Sequence, residues 1–479
     1  MAVLDHLEPK GVFRYFEELC AIPHGSGNTK AVSDWCVDFA KVRGLEVHQD
    51  TMHNVIIVKE ASTGYEDAEP MILQGHLDMV CEKASGCAKD MEQEGLDLAI
   101  EGDFIRAVDT TLGGDDGIAV AMALAILDDD SIPHPRLEVL LTTEEEIGML
   151  GATALDAAPL RGRQLLNLDS EAEGVFTVSC AGGSRVTYRL PVVREAYAGT
   201  VLRVRVSGLQ GGHSGVEIHK GLANANVLLG KLLREASAAA EVRLVYAAGG
   251  LKDNAIPVTA EAVLVTLDAQ AAEDAIRAMA AELQQEYRTA DAGLRIDIEK
   301  TAPEQLPMND DSTRRVLQLL TCLPNGVQEM SPDIEGLVQT SLNLGIMETS
   351  EAELSMVFCV RSSVAAQKIM LHHRLRDLTE QLGGTIEVSG DYPAWEYRRE
   401  SPLRQRMTEV FREQYGREPV IEAIHAGVEC GILCGKLPGL DCVSIGPDLL
   451  EIHTPRERMS ISSVQRVWAF VLEVLKRSE

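Results

Sequence analysis

Short apolar runs alternate with helical stretches over roughly the first third of the chain, and this alternation restricts the fold more than any other feature. NVIIVKE (54–60), MILQGHLDMV (71–80), RLEVLLTT (136–143) and RQLLNLDS (163–170) are brief, rich in branched side chains and bounded by turn residues, which predicts strands. Apolar spacing over 11–19 and 31–43 predicts helices. The Pro-free, Ala-rich run DDGIAVAMALAILDD (115–129) predicts a buried one. Strands alternating with helices predict an α/β layer architecture.

The texture changes near residue 184. TVLRVRVSGL (200–209) alternates apolar and polar positions, as an antiparallel strand with one wet face does. A long helix follows (221–240), and a similar order recurs as the strand SMVFCVRSS (355–363), a helix over 365–384 and the strand TIEVSG (385–390). After about residue 393 the helix-and-strand pattern of the first part returns. At 479 residues the chain exceeds what one hydrophobic core serves. The expected organisation is one α/β domain built from 1–183 and 393–479, with an α+β domain of two related halves inserted over 184–392.

A formal net charge of −30 argues against nucleic acid and anionic membranes as partners, because both would be repelled. No stretch approaches the roughly 18 apolar residues of a membrane span. The first residues carry Asp5, Glu8, Glu17 and Glu18 and lack the basic-then-apolar order of a secretory signal. Ten cysteines follow no framework spacing, and Cys20, Cys359 and Cys442 sit in apolar runs. Buried, reduced thiols in a cytoplasmic protein are expected.

The chemistry-bearing residues cluster at the ends of expected strands, where open α/β sheets place their ligands. They are Gly75-His76-Leu77-Asp78; Thr110 to Gly117, with Asp115 and Asp116 after two glycines; Glu144-Glu145-Glu146-Ile147-Gly148; Asn167-Leu168-Asp169; and Glu451-Ile452-His453-Thr454-Pro455. Each alone has a plain structural explanation: a histidine in a turn, an Asp capping a helix, an exposed acidic turn. Taken together, two histidines and three or more carboxylates supply the N and O ligands that zinc-like divalent ions accept. Five ligands exceed what one tetrahedral ion with an open position needs. They suit two ions sharing a carboxylate.

In this order GHLDMV, TTLGGDDGI, TEEEIGMLGA, NLDSE and IHTP resemble the di-zinc metallopeptidases that include carboxypeptidase-type enzymes, aminoacylases and dipeptidases. IPHGSGNT, GGHSGVEIHKGLANAN, DNAIP, GLVQTSLNLG, VRSS and AIHAGVECG extend the resemblance over the whole chain and point to the aminoacyl-histidine dipeptidase branch. The implied fold is a mixed-sheet catalytic domain with an inserted lid domain. The resemblance implies that His76 and Asp169 bind one metal, Glu146 and His453 the other, and that Asp115 bridges them. Glu145 would be the general base and Asp78 would orient His76. Glu144 is left over, and a solvated carboxylate is expected there. Two divalent ions are implied, zinc first, with cobalt or manganese as substitutes. Arg361 is the expected partner of a substrate carboxylate, with Asn254, His219 and His213 as further candidates for binding.

The implied activity is hydrolysis of small dipeptides, Xaa-His and β-Ala-His among them, in a homodimer. A dipeptidase of broader specificity or an aminoacylase is the alternative, and a non-catalytic metal-binding protein a more distant one. Two departures fall near the expected substrate site: Glu451 and Ile452 precede His453 where small residues are usual, and Val258 follows DNAIP where a basic residue is common.

Overall fold

The computed structural model describes residues 3–303 and 305–478, and the chain divides into two compact units. The first comprises Met1–Cys180, Tyr397–Ala423 and Val428–Glu479; the second comprises Ala181–Glu396 and Ile424–Gly427.

The first unit is built on an eight-stranded sheet, ordered Glu46–Gln49, Val55–Lys59, Leu137–Thr142, Met71–His76, Gln164–Asn167, Asp441–Ser444, Val175–Cys180 and Val420–Ile424. Four neighbouring strands at its centre run parallel: Leu137–Thr142, Met71–His76, Gln164–Asn167 and Asp441–Ser444. Every residue in these four is buried. This is why they read as continuous apolar runs and not as alternating ones. The strands end in register, with His76 opposite Thr142 and Gln74 and Ser444 both opposite Asn167. Their carboxyl ends therefore share one edge.

The helix Gly114–Asp128 is buried almost all round and packs on Met71–His76. The approach is close enough to require glycine at 75. A Cβ there would stand 2.5 Å from Asp116 Oδ2 and 2.7 Å from Ala119 Cβ. At the far end of the helix the Lys59 ammonium donates to the carbonyls of Leu127 (3.0 Å) and Asp129 (3.2 Å), satisfying terminal acceptors.

The second unit carries a nine-stranded sheet in which all the recorded pairings are antiparallel. Thr200–Ser207 lies in it with its apolar positions inward, as its alternation predicts. Leu202, Val204 and Val206 share a core with Leu228, Leu229 and Leu232 of the helix Ala225–Ala239. That helix begins on Asn224, whose side chain accepts from the backbone N–H groups of Asn226 and Val227. The later strand Glu353–Ser362 and helix Ala365–Gln381 also belong to this unit, and the strand lies in the same sheet. Among the described residues no helix is long and apolar enough to cross a membrane. All ten cysteines are free; Cys20 and Cys442 are buried as expected, but Cys359 is only half-buried.

Candidate active site

His76 closes its strand, and its backbone N–H donates to Asp116 Oδ2 at 3.1 Å. Its Nδ1 lies 2.9 Å from the backbone carbonyl of Asp78. A carbonyl only accepts, so Nδ1 carries a proton and Nε2 is the atom turned toward the acids. Nε2 faces Asp115 Oδ1 at 3.1 Å and Asp169 Oδ1 at 3.6 Å. His453 Nε2 lies 3.0 Å from Asp115 Oδ2 and 3.0 Å from Glu146 Oε1. The two oxygens of Asp115 are thus divided between two imidazoles.

Asp115 does not cap its helix, and neither does Asp116, and the N-cap residue Gly113 has no side chain to do so. The helix start is held instead by Glu457. Its buried carboxylate accepts from the N–H groups of Leu112 (2.8 Å), Gly113 (3.2 Å) and Gly114 (2.8 Å). The negative charge sits where the helix dipole favours it. Asp116 points under His76 and is fully enclosed.

Asp78 stands behind His76 as expected, but its carboxylate is 3.6 Å from the ring and does a second job. Oδ1 accepts from Glu145 N (3.0 Å), while Oδ2 accepts from Glu146 N (3.3 Å) and Ser26 Oγ (2.8 Å). It therefore orients the acidic turn through its backbone. Glu144 is a correction to the sequence reading. It is buried, not solvated, and its carboxylate accepts from Gly27 N (2.7 Å) and Thr29 Oγ1 (3.0 Å). This contact ties the IPHGSGNT segment to the strand end. Glu451, one of the departures, lies exposed and pairs with Arg456 at 2.6 Å.

Sequence reasoning gave Asp116 no role and missed Glu457 and Glu429. The last is buried on the helix Glu429–Lys436, where it accepts from Gln74 Nε2 and Thr142 Oγ1, both at 2.6 Å, and leaves Oε1 unpartnered. Only a carboxylate within an apolar neighbourhood could have flagged it.

The cluster carries more negative charge than its surroundings neutralise. Burial pushes the Glu145 carboxyl up to about 9, with Asp169, Glu429 and Glu146 adding to the rise and His76 opposing it. Burial likewise raises Asp169 to about 6 and Glu429 to about 7. His453 goes up to about 10 because Asp115 and Glu146 accept from its ring. Such a set calls for cations. Among the described residues three groups hold one ligand atom per residue within 4.8 Å: His76, Asp116 and Asp169; His76, Glu145 and Glu146; and Asp115, Glu146 and His453. Their imidazole and carboxylate atoms suit borderline divalent ions. The donor set therefore fits a dinuclear centre.

The candidate binding residues lie in the second unit. His213 Nδ1 accepts from Gly215 N and Val216 N, each at 3.2 Å, so its proton is on Nε2. Arg361, near the end of Glu353–Ser362, donates from Nη1 to Tyr392 Oη at 3.2 Å and pairs with no carboxylate among the described residues. Asn254 is exposed, and its carbonyl accepts from Ser214 N at 2.9 Å. His219 is exposed and lines a cavity of about 560 Å³ with Leu222, Tyr287 and Leu320. It is not gathered with Arg361.

Imidazoles and carboxylates along the carboxyl edge of a parallel sheet, in an arrangement fit for two cations, define a metallohydrolase centre. Residues 72–477 match peptidase family M20/M25/M40, and the chain belongs to that family. It is 35% identical over 482 residues to the cytosol non-specific dipeptidase of Escherichia coli, covering 99% of both chains. It resembles the crystal structure of aminoacylhistidine dipeptidase from Vibrio alginolyticus with a TM-score of 0.94 and 34% identity, over 99% of this chain and 97% of that one. A tripeptidase from Staphylococcus aureus shares the fold, with a TM-score of 0.58 and 16% identity over 98% and 99% of the two chains. The expected resemblance to aminoacyl-histidine dipeptidases and the α/β fold it implies are borne out.

Proposed function

We propose that this peptidase cleaves the amide bond of small dipeptides, Xaa-His and β-Ala-His among them, with Glu145 as general base. The observation that carries the reading is the division of Asp115 between His76 and His453, at 3.1 and 3.0 Å. His76 and Asp169 would hold one ion, Glu146 and His453 the other, and Asp115 both. Zinc is proposed as the ion, with cobalt or manganese able to substitute. Two divalent ions in such a centre supply an activated water near neutral pH and polarise the scissile carbonyl.

The chain's own groups do the rest. Glu145 takes a proton from the attacking water and returns it to the departing amine. Its backbone N–H, anchored on Asp78, fixes where its carboxylate starts. The Asp78 carbonyl also holds His76 through Nδ1, with Nε2 turned toward the acids. In the second unit, proposed as the lid, Arg361 would take the substrate's C-terminal carboxylate in a bidentate grip. The neutral His213 offers an Nε2–H donor. Asn254 and His219 are weaker candidates, the latter because it lines another cavity. A homodimer is the assembly the family resemblance implies, and the cytosol is the compartment named for the Escherichia coli relative.

A second reading has one observation in its favour. The Escherichia coli relative is named non-specific, so a broader dipeptidase is the alternative to a histidine preference. A panel of Xaa-His, β-Ala-His, Xaa-Gly, N-acetylated amino acids and tripeptides, assayed with zinc, cobalt and manganese, separates the two. Dipeptides should be cleaved, and a strong chelator should stop the reaction. Turnover of N-acetylated substrates alone would make the protein an aminoacylase, and turnover in metal-free protein would remove the metals from the reaction.

A further inference from the structure

We propose that His425 is a ligand of the substrate's C-terminal carboxylate, completing with Arg361 a built anion site in the second unit. The inference rests on the dipeptidase reading above and adds a residue that the sequence did not reveal.

His425 lies in the short Ile424–Gly427 segment and is 6% exposed. Its Nε2 meets Ser341 Oγ at 2.7 Å, but its Nδ1 is buried without a partner. Arg361 is 7% exposed, and its Nε is likewise buried without a partner. Ser214 Oγ, on the same patch, has only the weakly bonding Cys359 thiol beside it. Gly215 packs against Arg361, His213 and the His425 backbone, and the His425 ring lies within the field of the Arg361 guanidinium. A Cβ added at Gly215 would meet the His425 carbonyl oxygen at 2.6 Å, His213 Cε1 at 2.9 Å and Arg361 Nε at 3.1 Å.

Buried polar atoms are almost always satisfied, so unpaired ones gathered in one place call for an explanation. A buried guanidinium with no carboxylate is costlier still. One ligand resolves all of this, an anion with two oxygens. Burial, and then the positive field of Arg361, hold the His425 imidazole down to about 3. At neutral pH the ring therefore carries a single proton. With the Ser341 hydroxyl donating to Nε2, that proton is on Nδ1, where it can meet an oxygen without adding a second cation. A carboxylate fits such a site better than a chain-end amide, which carries no charge to meet the guanidinium.

The test uses metal-replete protein with Ala-His and its C-terminal amide as substrates. In His425→Gln the amide group takes the place of Nε2 and leaves the Nδ1 position empty; in His425→Asn it takes the place of Nδ1. A charge-assisted hydrogen bond is worth a factor of about 10–100, so H425Q should raise KM for Ala-His by roughly that factor. Its kcat should change by less than about threefold, H425N should recover most of the loss, and the amide should be unaffected. Calorimetric titration with L-histidine should show the same weakening without any turnover. An unchanged KM, an equal rise for the amide, or equal behaviour of the two variants would overturn the proposal. If wild-type protein cleaves no dipeptide, the dipeptidase reading fails on its own, and the L-histidine titration still decides the role of His425.

Discussion

Glu457 accepts from the backbone N–H of Gly114 at 2.8 Å, and the same carboxylate holds Leu112 at 2.8 Å. The residue that places Asp115 thus comes from the far end of the sequence. In Glu457→Gln one acceptor oxygen becomes a donor facing N–H groups. Stability should fall by about 1–3 kcal/mol, read as a shift in the urea midpoint. Because Asp115 is displaced, kcat/KM should drop about 10–100-fold. Wild-type kinetics in this variant would show that Asp115 is held by something else.

Gly75→Ala tests the contact between strand and helix just before His76. The added methyl would stand 2.5 Å from Asp116 Oδ2 and 2.7 Å from Ala119 Cβ, so the helix or the strand end must move. A loss of about 1–3 kcal/mol is expected from overpacking, together with weaker metal retention on dialysis, because His76 is the next residue. A variant as stable and as metal-rich as wild type would mean that the sheet edge yields freely.

Glu145→Gln separates the proposed base from the proposed ligands. Removing a general base costs about 10²–10⁴ in rate, so hydrolysis should nearly vanish while metal content, measured by elemental analysis, stays near the wild-type value. Retained turnover would take Glu145 out of the mechanism. Lost metal would instead make it a ligand, a position open to it beside His76 and Glu146.

His425 also gives a signature in stability. Its ordinary value of 6.5 falls to about 3 on folding, through burial first and then Arg361. Between those two values the unfolded chain binds a proton that the folded chain refuses. The contribution of this group is therefore complete above about pH 6.5 and is lost as the pH falls toward 3, at up to about 1.4 kcal/mol per pH unit. H425Q lacks this proton, so the stability gap between wild type and variant should narrow as the pH drops through that window. Urea midpoints that run parallel from pH 7 to 3.5 would refute it.

The parallel strands were legible because full burial turns them into unbroken apolar runs, and the chemistry was legible because it begins where those runs stop. That position marked the motifs, the family resemblance picked His76, Asp115, Glu146, Asp169 and His453 out of them, and the structure brings these five together. Glu144, Asp116 and Glu457 were opaque for a shared reason. Their partners are backbone N–H groups or hydroxyls far away in sequence, and no local pattern records which distant loop a carboxylate will meet. His425 was hidden differently: its significance is an unmet hydrogen bond, visible only once every neighbour is placed.

One consequence concerns how the molecule is made. The strand Asp441–Ser444 lies between Gln164–Asn167 and Val175–Cys180, which are synthesised long before it. A nascent chain emerging from the ribosome carries those two strands with a gap one strand wide between them, and their unpaired edges are open to mispairing. The gap closes only when the final segment arrives, bringing His453 and Glu457 with it. A chain truncated before residue 441 should accordingly aggregate, not simply lose activity.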